Sequence, residues 1–125
     1  FVEKKYIPFI ISCGDLNFIQ VKQTAIMRFG SSLNKLFEYL ASGKPVLSDL
    51  QVRYDIIKRY GAGTTMTTQA PADIANEMIR YAEMDPKEYE TICQNARRAA
   101  KAYDYKRLTD KLIAIITPKK EGCTK

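Results

Sequence analysis

Short β-prone runs alternate with segments of helical period along this chain, and that alternation narrows its fold more than any other feature. Residues 16–21 (Leu-Asn-Phe-Ile-Gln-Val) are β-prone and mostly apolar, and they follow the turn pair Gly14-Asp15. Pro45 to Ser48 and the threonine-rich run from Gly63 to Thr68 are the second and third such runs. Between and after them apolar residues recur at helical spacing. Leu33, Leu36, Phe37, Leu40 and Ala41 predict a helix with Ser32 or Asn34 as its cap and Gly43 then Pro45 as its stop. Residues 52–60 predict a helix stopped by Gly61, and another starts at Pro71, with Asp73 near its amino end, and runs to the break at Asp85-Pro86. Residues 87–102 and 106–116 predict two more, divided near Tyr103-Asp104-Tyr105. Residues 4–13, with Pro8 inside, read as a short helix or an irregular lead-in. Strand and helix alternating at this spacing give an α/β fold, a partial Rossmann-like doubly wound parallel sheet with helices on both faces and a helical C-terminal end.

At 125 residues the chain holds one core. Three strands are few for a doubly wound sheet, and the chain opens on Phe1 without a signal-peptide pattern, so it reads as a fragment of a longer protein. Residues 1–117 are expected to belong to the domain and 118–125 to a disordered tail. Histidine is absent, which excludes catalytic triads and histidine-ligated zinc from these residues. Three cysteines without a close pair argue against a disulfide framework and for a reducing, cytoplasmic setting. A net charge of +6 is compatible with nucleic acid, an anionic membrane face or phosphorylated ligands, and equally with a solvated lysine-rich surface.

In open parallel sheets, ligands bind beyond the carboxyl ends of the strands, where loops lead into helix amino termini. Residues 22–32 are such a loop. Gly30, Ser31, Ser32, Leu33 and Asn34 form a plausible cradle for a diphosphate, because a helix start offers unpaired N–H groups and partial positive charge. Lys22 and Arg28 in the same loop read first as solvated side chains, with added charge for that cradle as the alternative. Glu38, in the second turn, has the chemistry to accept two ribose hydroxyls; an exposed glutamate, or one paired with Lys35, fits its spacing as well. Asp49, just after the second strand, reads first as a helix cap, with a role near the ligand as the alternative. Tyr103 and Tyr105, flanked by Lys101, Lys106 and Arg107, read as a helix junction packed on its tyrosines, with stacking on single-stranded nucleic acid as the rival. Leu108, Leu112, Ile115 and Ile116 form an apolar stripe that either packs on the chain's own core or pairs with another chain.

The continuous segment from Phe29 to Val46, Phe-Gly-Ser-Ser-Leu-Asn-Lys-Leu-Phe-Glu-Tyr-Leu-Ala-Ser-Gly-Lys-Pro-Val, resembles the donor-site segment of group 1 (family 4) glycosyltransferases of the GT-B fold, of the bacterial polysaccharide-biosynthesis type. Similarity extends through Tyr60-Gly61-Ala62-Gly63 and Asn95-Ala96-Arg97. The resemblance implies that the chain is the C-terminal part of the nucleotide-sugar-binding domain, with Glu38 on the ribose and the Ser32-Leu33-Asn34 turn on the diphosphate. A second glutamate that the family often carries eight positions earlier is replaced here by Gly30. The resemblance further implies a UDP- or GDP-linked sugar donor, a glycan or lipid-linked acceptor, no bound metal or other cofactor, and catalytic groups in a preceding N-terminal domain outside this chain. It allows self-association through the last helix and peripheral contact with a membrane. A nucleotide-sugar epimerase of the same fold and a basic nucleic-acid-binding module are the competing readings.

Overall fold

The computed structural model describes residues 1–30 and 33–117. Ser31, Ser32 and the expected tail, 118–125, lie outside the described residues. Helix α1 (Ile7–Cys13) follows directly on a 3-10 turn, Lys4–Tyr6, and carries Pro8 in its first turn, where a missing N–H goes unnoticed. Then come β1 (Asn17–Ile19), α2 (Asn34–Ser42), β2 (Val46–Ser48), α3 (Ile56–Tyr60), β3 (Gly63–Thr65), α4 (Pro71–Ala82), α5 (Pro86–Ala102) and α6 (Tyr105–Ile116). The strands form a parallel sheet in the order β1-β2-β3, with Phe18, Leu47 and Thr64 in register.

Register assigns the two faces, because side chains alternate along a strand. Ile19 and Val46 point to one face, where they join Leu40 of α2, Ile57 of α3 and Ala96 and Ala99 of α5 in a single buried cluster. Both crossover helices thus lie on the same face, as a strand order growing in one direction requires of crossovers of one hand. Thr64 points to the other face, where its Oγ1 meets Glu77 Oε1 at 2.7 Å and the Tyr81 hydroxyl at 3.0 Å, so α4 covers that side. Leu47, on this second face, is fully buried. The chain is therefore an α/β fold with a three-stranded parallel sheet, helices on both faces and a helical C-terminal end, as its sequence pattern predicts.

At Gly63 a side chain is ruled out by space as well as by backbone: φ is +149°, and a Cβ would come within 1.9 Å of the Val46 carbonyl oxygen. Two expectations need correction, and one open alternative is decided. The helix expected over residues 52–60 starts only at Ile56, because Asp55 takes the N-cap position and its Oδ1 accepts the Lys58 N–H at 2.9 Å. The strands are shorter than the β-prone runs that contain them, and the loop after β1 contains a 3-10 turn, Ala25–Phe29. Finally, the stripe on α6 does not pack on the chain's own core: Leu108, Leu112, Ile115 and Ile116 are all exposed. No helix among the described residues is long and apolar enough to cross a membrane.

Candidate functional site

The carboxyl ends of the three strands, at Ile19, Ser48 and Thr65, converge beneath the start of α2. A cavity of about 30 Å³ lies there, bounded by Ile19, Leu33, Leu36, Ser48, Tyr54 and Thr65 among others. It has room for water and none for a nucleoside. Thr65 Oγ1 is buried without a hydrogen-bond partner among the described residues. A ligand at this edge therefore has to sit on the rim, over the loops and the helix start.

At the rim, α2 begins on Leu33 as its N-cap residue, with no side-chain cap. Asn34 is the first helical residue and is exposed, so it does not occupy the capping position expected for it; Ser32, the other expected cap, lies outside the described residues. At this start the Leu36 N–H donates to the Leu33 carbonyl at 3.0 Å. Unpaired N–H groups and the positive end of the helix dipole make such a start attractive to anions. Gly30 precedes it with φ +124°, a backbone state that L side chains rarely adopt, and its N–H closes the 3-10 turn on the Met27 carbonyl. A glutamate, or any other L side chain, at this position would strain this backbone.

Glu38 lies four residues after Asn34, which places the two on one face of α2. Its side chain is exposed and borders a groove of about 330 Å³ shared with Lys4, Pro8 and Ser12 of the amino-terminal segment and with Ser42. That volume accommodates a sugar ring. Among the described residues Glu38 makes no ion pair, with Lys35 or any other cation, so its carboxylate is open to a ligand. The opposite flank of α2 is closed, because Phe37 packs on Tyr103 at 5.8 Å between ring centroids. Thus Leu33, Asn34 and Glu38 share one helix, with Asn34 and Glu38 on its open face, and Gly30 ends the loop that leads to it.

Asp49 is not a helix cap. It is 1% exposed, and its carboxylate accepts the Val21 N–H at 3.1 Å and the Gln69 side-chain amide at 3.0 Å, bonds to loops distant in sequence that no local pattern signals. The tyrosines at the last helix junction divide: Tyr103 packs against Phe37 and Tyr60, whereas Tyr105 is 81% exposed. Displaced titrations lie around α4 and the start of α5. Glu77 is held below the usual carboxylate range by its hydrogen bond to Arg80, and burial raises Tyr81. Burial also pushes Tyr89 up to about 12 and raises the Cys93 thiol. Among the described residues, no group of three or more acidic or cysteine side chains is placed to hold a metal ion.

No curated protein and no solved structure matches the chain. The pattern of the glycosyl transferase-like family does match, over residues 8–114, a span that runs from α1 into α6 and includes the whole sheet and the start of α2. With most of its length covered by that pattern, the chain belongs to the glycosyl transferase-like family.

Proposed function

We propose that this chain is the donor-holding part of a group 1 glycosyltransferase of the GT-B fold and that it binds a nucleoside-diphosphate sugar. The diphosphate lies at the start of α2, over Gly30, Ser31, Ser32, Leu33 and Asn34, and the ribose hydroxyls donate to Glu38. The observation that carries this reading is the pairing, among the described residues, of a helix start without a side-chain cap at the carboxyl edge of a parallel sheet with a carboxylate that makes no ion pair on the same helix face. A carboxylate accepts two hydroxyl hydrogens at once, which a ribose supplies. Membership in the glycosyl transferase-like family supports a sugar donor and an acceptor in general.

In the same reading residues 1–117 are the C-terminal part of the donor domain, and the groups that perform transfer to a glycan or lipid-linked acceptor stand on another domain. Stabilisation of the leaving diphosphate falls to the helix start and to basic groups, without a metal. The setting is cytoplasmic, with the exposed stripe of α6 available for self-association or for a membrane periphery. The nucleic-acid reading loses one of its two stacking tyrosines, since Tyr103 is committed to Phe37 and Tyr60.

Calorimetry of UDP, GDP and their sugars against the full-length protein tests the proposal. Wild-type protein is expected to bind one nucleotide family, and Glu38→Ala to weaken that binding about tenfold or more, the scale of a lost charge-assisted hydrogen-bond pair. Equal affinity of the two proteins would sink the assignment.

A further inference from the structure

Residues 20–30 carry the chain from β1 to Gly30 with only one 3-10 turn of regular structure. Side chains from the loops after β2 and β3 hold them to the sheet. Asp49 Oδ1 accepts the Val21 N–H at 3.1 Å, and Gln69 Nε2 donates to the Val21 carbonyl at 2.9 Å and to Asp49 Oδ2 at 3.0 Å. Both polar groups of Val21 are thereby gripped, and both hydrogens of the Gln69 amide are used. Two residues further along, the Gln23 carboxamide clasps the backbone of Gln51, accepting its N–H at 3.1 Å and donating to its carbonyl at 3.0 Å. Gln51 Nε2 in turn donates to the Thr67 carbonyl at 2.8 Å.

We infer that Asp49 and Gln69 are positioning residues of the donor site. They fix Val21, and through it the line along which residues 22–30 deliver Gly30 to the rim ahead of α2. The inference rests on the donor-site reading above and adds to it two residues that do not touch the ligand. Their chemistry is specific. A carboxylate only accepts, so it satisfies the Val21 N–H and the Gln69 amide together, whereas an amide at position 49 turns an N–H group toward one of those donors. Asp49→Asn therefore breaks the clasp with almost no change in volume. Gln69→Glu breaks it from the other side, because it sets a carboxylate oxygen against both Asp49 and the Val21 carbonyl.

The test uses the full-length protein, with calorimetry of UDP and GDP beside hydrogen exchange of peptides covering residues 20–30 and, as a reference, α5. In Asp49→Asn, exchange over 20–30 is expected to rise about tenfold while α5 is unchanged, and affinity for the bound nucleotide to fall about tenfold. Gln69→Glu is expected to give the same pair of changes, about tenfold each, with α5 again unchanged. An Asp49→Asn protein with wild-type exchange and affinity would overturn the inference. So would faster exchange with unchanged affinity, or exchange that rises equally in α5, since that marks general destabilisation. If wild-type protein binds neither nucleotide, the donor reading falls and this inference with it. Intact wild-type binding with an indifferent Asp49→Asn removes this inference alone.

Discussion

The helices of this chain start in two different ways. α3, α5 and α6 each begin on an aspartate, Asp55, Asp85 and Asp104, whose carboxylate accepts backbone N–H groups of the first turn. α1 and α4 lack such a cap and carry a proline in the first turn, which reduces the number of N–H groups left over. Among the described residues α2 alone has neither device, and α2 is the helix that starts over the carboxyl edge of the sheet. Where a helix start serves only the fold, this sequence closes it. The start that shows no such closure among the described residues lies where a parallel sheet receives ligands.

The largest expected effect comes from closing α2 artificially. Asn34→Asp places a carboxylate in the first turn, so thermal stability is expected to rise by about 0.3–1 kcal/mol while nucleotide affinity falls about tenfold, roughly 1.4 kcal/mol. Melting curves and calorimetry on the same protein read the two signs. A variant that gains stability and keeps its affinity would break the comparison. Next in size is Asp85→Ala, which removes bonds to the N–H groups of Lys87 and Glu88 and is expected to cost about 1 kcal/mol in urea unfolding, with nucleotide binding unaltered.

The smallest effect concerns α4, which is held at its middle instead of at its start. Glu77 bonds Thr64 of β3 and Arg80 of its own helix, and the bond to Arg80 lowers its pKa from the ordinary 4.5. A lowered carboxylate contributes stability that is complete above its unfolded value and disappears as pH falls through the folded value. Glu77→Gln is therefore expected to destabilise by about 0.5 kcal/mol near neutrality and to converge with wild type in acid. Urea melts at about pH 7 and about pH 3 compare the two. A gap that persists in acid would assign the loss to packing.

What the sequence makes legible is whatever depends on neighbours along the chain. Leu33, Leu36 and Leu40 announce α2 because their spacing repeats the helix, and the four-residue step from Asn34 to Glu38 is enough to place both on one face. The β-prone runs locate the strands but overstate them, since β propensity extends beyond the residues that find a ladder partner. Asp49 is the instructive misreading. An aspartate between a strand and a helix looks like a cap, yet Asp55 holds that position six residues later, and the partners of Asp49 come from Val21 and Gln69. Gln23, Gln51 and Gln69 stand one to a loop after the three strands, and no local pattern marks them as a set. The groove beside Glu38 was illegible for the same reason, because one wall of it comes from the segment before β1.

That clasp also bears on the order in which the molecule is built. Its bonds join residues 28, 20 and 48 positions apart, so the full set forms only once β1, β2 and β3 lie side by side. Contacts that close long stretches of chain are slow to be won and come after local helices. The rim that would hold a ligand is thus the last part of the sheet to be completed during folding.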